Sequence, residues 1–361
     1  MRKPRLGLIL FGILLGCGLV EGTLRLQQAA LKKLYVPAQG LYCYDPVLGW
    51  RFTPNYQGVE KNVDFLKGYR IRINREGFRD REFSAEKPAG KKRILVLGDS
   101  FTFGTGVEQE ETFPKVLERR LGQEAFNWGV AGYSTDQELL LLEKEGLRYR
   151  PDLVILALYL GNDLMDNLLP YPSEADRAKP FFVLEGTRLN LKNVPVPQAR
   201  KDPGPRSQGL TQLLTRSLLV SETAKILIQW KPLQPLAARL GSMEDSTTQE
   251  QELRLAQALL ARMREWTLQH DSRLFVVMVP HLSQIQRFSP RTAASNALAT
   301  RLLAACRELK IDAVDLTPIL KHRAQEGEAL YFPRERHWNA LGHKRAAEII
   351  VKALGSGAVK E

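Results

Sequence analysis

Cysteine is scarce: three in 361 residues, with no Cys-x-x-Cys pair and no Cys/His spacing of the kind that binds zinc. That excludes a disulfide scaffold and gives no reason to expect a structural metal or a cofactor. A bond between Cys43 and Cys306 is permitted in an oxidising compartment, and so are two free thiols. Histidine is rarer than any charged residue, at five. Long runs of one charge are missing as well. Lys and Arg number 52 against 40 Asp and Glu, a formal net charge of +12. Yet the excess is dispersed, with Lys32-Lys33 and Lys91-Lys92-Arg93 among its few short clusters. With no helix-turn-helix pattern, zinc-finger spacing or RNA-binding aromatic signature, the charge reads as a diffusely basic surface and not as a nucleic-acid site.

An apolar run of the ~20 residues that a membrane span wants is also absent. The nearest approach is Leu6 to Val20, uncharged and preceded by Arg2, Lys3 and Arg5. A positive flank before an apolar stretch is the pattern of a signal sequence or signal anchor. Snorkelling by Arg2, Lys3 and Arg25 could extend its reach. Three readings stay open: an uncleaved anchor holding residues 6–20 in the membrane, a cleaved signal peptide, and a lipoprotein signal. Leu14-Leu15-Gly16-Cys17 resembles a bacterial lipobox, with an unusual Leu at its second position. All three put the remainder outside the cytoplasm, in the periplasm or at the cell surface.

What is present organises into three parts: residues 1–28 as anchor or signal plus stalk, 29–90 as a β-rich segment, and 91–361 as the main domain. In the second part, Tyr69 to Asn74 alternates Ile71 and Ile73 with Arg70 and Arg72, the period of a strand. In the third, Arg93–Gly98, Ala125–Gly129, Asp152–Tyr159, Leu274–Val279 and Ile311–Asp315 read as strands separated by helical stretches such as Phe113–Leu121 and Asp136–Glu145. Apolar runs with helices between them predict a parallel sheet covered on both faces. The fold class is therefore α/β, a doubly wound, flavodoxin-like sheet of about five strands closed by a helix from about Ala340 to Leu354. The rhythm breaks over about 164–271, where Phe181–Leu184 and Leu189–Leu191 suggest a hairpin, Leu210–Leu240 one or two helices, and Gln249–Gln269 a helix returning to the core. A stretch this long is an inserted element.

Four short segments follow strands or precede the last helix. Gly98-Asp99-Ser100 ends the first core strand, where α/β sheets place their ligands; on its own it also reads as a helix cap. Gly132, in Asn127–Thr135, can offer an unhindered N–H or simply make a turn. Gly161-Asn162-Asp163 follows the third strand: Asn162 can donate into a site and Asp163 can brace the loop, or the two can form an Asx turn. Among the histidines, His270 and His322 lie in polar stretches expected to be exposed, His281 follows a strand and Pro280 and could lie near the site, and His343 falls off the face of His337, covering the sheet or facing solvent. His337, in Tyr331–Asn339 beside Trp338, sits among aromatics where a general base is held.

In this order the segments resemble the four blocks of the SGNH (GDSL) hydrolase superfamily, over about Arg93 to Leu354 without the insertion. The resemblance implies a serine esterase: Ser100 as nucleophile, His337 as base, and an oxyanion hole of the Ser100 and Gly132 N–H groups with the Asn162 side chain. Asp99, Asp163 and Trp338 would support them. One block departs. The usual Asp three residues before the histidine is Arg334, and the nearest carboxylate is Glu335, the offset found in carboxylate-x-His-Trp relatives that include acetyltransferase-like members. Glu335 is then the candidate for orienting His337; a Ser-His dyad braced by a backbone carbonyl is the fallback. The implied substrates are acylated small molecules or polysaccharides. Two other outcomes are an O-acyltransferase acting on a cell-surface polysaccharide and a non-catalytic carbohydrate-binding or scaffold protein of the same fold.

Overall fold

The computed structural model describes residues 3–173, 176–198, 217–220, 223, 246–286 and 290–355. Helix α1 (Lys3–Lys33) carries the apolar N-terminal run. From residue 11 on, most of its large side chains, Phe11, Leu14 and Leu19 among them, are exposed. Among the described residues, no helix is long and apolar enough to cross a membrane. Side chains of residues 6–10, the first part of the run read as an anchor, lie outside the described ones. Two antiparallel hairpins follow: β1 (Tyr42–Asp45) with β2 (Gly49–Phe52), and β3 (Gln57–Glu60) with β4 (Tyr69–Arg72). The alternation at Tyr69–Arg72 appears as buried, exposed, buried, exposed.

Next comes the core: β5 (Arg93–Gly98), α2 (Ser100–Phe103), α3 (Phe113–Leu121), β6 (Glu124–Gly129), α4 (Thr135–Glu145), β7 (Leu153–Tyr159) and α5 (Asp163–Asp166). The insertion holds a hairpin of β8 (Phe181–Glu185) and β9 (Arg188–Lys192). The chain returns through α6 (Ser246–Gln269), β10 (Arg273–Val279), α7 (Leu282–Gln286), α8 (Pro290–Glu308), β11 (Asp312–Asp315), α9 (Thr317–Gln325) and α10 (Ala340–Gly355). The helices expected over Leu210–Leu240 lie almost wholly outside the described residues.

β5 is buried at every position and β7 at all but its first. A strand that shows neither face to water needs a layer on each side, and the sheet has both. Its order is β11-β10-β7-β5-β6, all pairs parallel. From the β6 edge, the core strands run 2-1-3-4-5, the flavodoxin-like order the sequence predicted. Alternate residues feed two cores: Leu95, Leu97 and Leu156 point to one face, and Ile94, Val96 and Ile155 to the other. Helices α4, α6 and α8 cover the first face; α3 and α10 pack together over the second.

The N-terminal segment shares the first core. Phe78 stacks on Trp128 at 4.6 Å and Phe83 on Phe126 at 3.9 Å. Each ring so buried contributes about 1.5–3 kcal/mol, which ties the segment to the sheet. Buried Asp80 accepts from the Asn127 N–H at 2.8 Å and pairs with Lys115 at 2.7 Å. All three cysteines are free thiols, so the Cys43–Cys306 bond is not formed. Gly146 ends α4 with a right-handed φ of −61° and leads into a short 3₁₀ turn.

Candidate active site

Strand β5 ends at Gly98, whose φ of 154° and surroundings require glycine: a Cβ there would stand 2.1 Å from Thr102 Oγ1. Asp99 then caps α2, its Oδ1 accepting from the Phe101 N–H at 2.8 Å. Because Asp99 takes the cap, the Ser100 hydroxyl is left for other work. It meets His337 Nε2 at 2.7 Å.

His337 is held by a tight turn before α10. Tyr331 and Trp338 form an isolated bridge, and the Phe332 N–H donates to the His337 carbonyl at 2.9 Å. Arg336 turns the chain with a φ of 67°. Fully buried Trp338 stands edge-on to Phe101 at 5.0 Å, and the imidazole lies 4.9 Å from the same ring. The position of the usual aspartate, Arg334, is exposed. Glu335 Oε1 comes within 3.4 Å of His337 Nδ1. That is ion-pair distance, but the alignment is not that of a hydrogen bond, and Nδ1 has no hydrogen-bond partner. The other oxygen, Oε2, accepts from Asn62 Nδ2 at 2.8 Å.

Gly132 follows β6 with a φ of 82°, a left-handed conformation that favours glycine. With Ala131 it lines a cavity of about 700 Å³ that also takes in Ser100, Glu335 and His337. Asn162 does not line this cavity. Its Nδ2 donates to Asp166 at 2.7 Å, and its Oδ1 has no partner. The fold thus brings Ser100, His337, Glu335 and Gly132 to one cavity and leaves Asn162 beside it.

Beneath Ser100 lies a knot of carboxyl groups. Asp163 is fully buried and accepts from the Tyr159 N–H through Oδ2 at 2.7 Å. Glu138, on α4, is also fully buried, and neither of its oxygens has a partner. Burial first, then the charges of Asp99 and Asp136, push the Glu138 carboxyl well above the usual range. Burial first, then Asp99 and Glu138, do the same to Asp163. Both carboxyl groups therefore favour the protonated form more than a surface carboxylate does.

Several residues that complete the site carried no sequence signal. Buried Arg79 donates to the carbonyls of Phe103, Gly104, Arg70 and Val107, tying the loop after Ser100 to the N-terminal segment. Glu60 lines the cavity; burial raises its carboxyl, the Tyr69 hydroxyl at 3.2 Å opposes this, and nearby Glu335 adds to it. Asn62 and Asp64 grip the final block. An exposed-looking hydrophilic loop, some 270 residues upstream of the groups it touches, offers no local pattern to read.

The remaining histidines are elsewhere. His343 is buried, its Nδ1 accepting from the Phe113 N–H at 3.2 Å. His270 stacks on Trp266 at 4.2 Å, and exposed His322 faces Glu326 at 3.5 Å. His281 bonds Ser283 at 2.8 Å and does not line the cavity. Among the described residues, no group of His, Cys, Asp or Glu side chains could hold a metal ion.

The family model for the GDSL-like lipase/acylhydrolase family matches residues 96–345, and the chain belongs to that family. It is a hydrolase of the SGNH type acting on ester bonds. Among curated proteins none matches. Solved structures that resemble it include the acetyl xylan esterase AlAXEase, at 13% identity over 73% of this chain and 99% of that one, TM-score 0.41. A lipolytic G-D-S-L family member from Veillonella parvula aligns at 12% identity over 72% and 97%, TM-score 0.39. An α/β hydrolase from the metagenome of Lake Arreo aligns at 13% over 76% and 99%, TM-score 0.42.

Proposed function

We propose that the chain is an extracytoplasmic serine esterase in which Ser100 is the nucleophile. The observation that carries the reading is the 2.7 Å contact of Ser100 Oγ with His337 Nε2 at the wall of the cavity. In the mechanism, Ser100 Oγ attacks the ester carbonyl carbon as its proton passes to His337 Nε2. The carbonyl oxygen becomes an oxyanion facing the N–H groups of Ser100 and Gly132. Asn162 spends one amide hydrogen on Asp166 and has a second for the same oxygen. The intermediate collapses, the alcohol leaves with the proton from His337, and water repeats the sequence on the acyl-enzyme. Glu335, an anion 3.4 Å from Nδ1, stabilises the imidazolium that forms in each half.

A second reading follows from the cavity wall. The cavity that takes in Ser100 and His337 is also lined by Tyr35, Tyr42, Glu60, Tyr69 and Arg177, beside Leu41 and Phe103. Phenols and charges among apolar side chains suit a polyhydroxylated partner better than a long acyl chain. Such a partner can be the alcohol part of the ester, or the acceptor that resolves the acyl-enzyme in an O-acyltransferase. The location outside the cytoplasm rests on the basic N-terminus and the apolar run Leu6–Val20, as an anchor or as a removed or lipidated signal.

The test is to treat the full chain with a fluorophosphonate and read the adduct by mass spectrometry. An adduct on Ser100 that is lost in His337→Ala supports the activated serine. No adduct on a folded protein favours a non-catalytic binding role. Adding an oligosaccharide to an acetyl-donor assay then separates transfer from hydrolysis.

A further inference from the structure

We infer that Asn62 and Asp64, in the loop between β3 and β4, are positioning residues for the Ser100–His337 pair, and that they substitute for what the block around Arg334 lacks. The inference rests on the serine-esterase reading above. An acid two residues before the histidine, carried on one more methylene than aspartate, needs its carboxylate pinned if Oε1 is to stay near Nδ1. Asn62 does the pinning: its Nδ2 donates to Glu335 Oε2 at 2.8 Å, leaving Oε1 on the side of His337. Asp64 fixes the backbone beneath. Its Oδ2 accepts the consecutive N–H groups of Arg334, at 2.8 Å, and Glu335, at 2.7 Å. Phe65, next in the loop, packs its ring edge-on to Phe332 at 5.5 Å, closing the same contact from the apolar side.

A turn-forming role alone does not account for Asn62. Its Oδ1 accepts from the Asp64 and Phe65 N–H groups at 2.8 and 3.3 Å. Aspartate makes that Asx turn as well as asparagine does. Only the amide of asparagine also supplies a donor to a carboxylate, and that donor, 8% exposed with its residue, is spent on Glu335. An aspartate here would set two carboxylates against each other. The β-rich segment ahead of the hydrolase core therefore contributes to the chemistry: it carries the orientation of the acid.

The experiment is a set of variants of the full chain assayed with para-nitrophenyl acetate and with fluorophosphonate: Asn62→Asp, Asn62→Ala, Glu335→Ala, Asn62→Ala with Glu335→Ala, and Ser100→Ala. Asn62→Asp keeps the turn and removes the donor. It is expected to lower kcat by about tenfold, the worth of one hydrogen bond to a charged group, with KM unchanged. It should also move the acid limb of kcat/KM to higher pH, because a second carboxylate holds the imidazolium more tightly. Asn62→Ala should cost nothing further once Glu335 is Ala, since the amide then has nothing to hold. Wild-type kcat and pH profile in Asn62→Asp overturn the inference. So does an equal loss from Asn62→Ala with and without Glu335, which is the mark of a merely structural loop. If either result comes with Ser100→Ala unlabelled, the serine reading stands and only the role of the loop falls. Labelling that persists in Ser100→Ala overturns both.

Discussion

His337 Nδ1 and Glu335 Oε1 stand 3.4 Å apart, within ion-pair reach and without hydrogen-bond alignment. On the proposed mechanism the acid then acts on the base mainly through charge. Glu335→Gln, which keeps shape and removes charge, should lower kcat on the order of tenfold to a hundredfold. Loss of a fully aligned triad carboxylate costs about ten-thousandfold. Steady-state kinetics on the two proteins check this, and an unchanged kcat removes Glu335 from the mechanism.

Ser100→Ala and His337→Ala should each reduce ester turnover by about four orders of magnitude or more, leaving only what binding and the oxyanion donors provide. Both side chains stand at the cavity wall, so melting temperatures should stay near that of the parent. A variant that loses activity and fold together would show that its side chain was structural.

Asn162→Ala should lower kcat by about a hundredfold with little change in KM, the signature of a donor used in the transition state. The Asp166 carboxylate holds one hydrogen of that amide. Asp166→Ala should therefore show a smaller loss of the same kind, from an amide left free to turn. An Asn162→Ala protein with parental kcat assigns the oxyanion to the backbone donors alone.

Glu138 gives a prediction about stability. Burial and its acidic neighbours raise its carboxyl, so the folded state retains a proton that the unfolded chain gives up near pH ~4.3. Folded stability is then greatest below that value and falls as pH rises toward the higher folded-state pKa. Glu138→Gln removes the proton to be lost. Its melting temperature should exceed the parent's by a margin that grows from about pH 5 to pH 9, and thermal scans across that range decide it.

His343 runs the other way. Burial, with smaller effects from Arg79 and His337, pulls its pKa down to about 3. Above the unfolded value near pH ~6.5 it costs nothing to keep it neutral; below that, the unfolded chain binds a proton that the fold refuses. Stability should fall between about pH 6.5 and pH 4, and less so in His343→Gln, whose side-chain oxygen can still accept from the Phe113 N–H.

Sequence patterns made the sheet legible because β5 and β7 are apolar on both faces and their ends carry Ser100 and Asn162. The serine and histidine stood out for the same reason: reactive side chains at strand ends or in a short aromatic loop are few. Glu138 was invisible. It lies one turn before Leu141 and Leu142 on the same side of α4, and nothing local says that its neighbours there are Asp99 and Asp163, at the ends of β5 and β7. The first hairpin covers the Gln137 side, where the Leu48 carbonyl accepts from Gln137 at 2.8 Å. The offset of His343 from His337 likewise says nothing of the start of α3, whose Phe113 N–H it caps at 3.2 Å. Asn62 could not be matched to Glu335 across 273 residues, since the pairing is set by how two loops meet in space.

That separation bears on when the enzyme becomes active. Ser100 meets His337 across 237 residues, and Asn62 meets Glu335 across 273. Domains begin to fold from the end synthesised first, and contacts this distant in sequence close late. A nascent chain can build both hairpins and most of the sheet while its serine has no base. On the proposed mechanism, nucleophilic power arrives only with the turn before the last helix, and a partly made or truncated chain carries an inert hydroxyl.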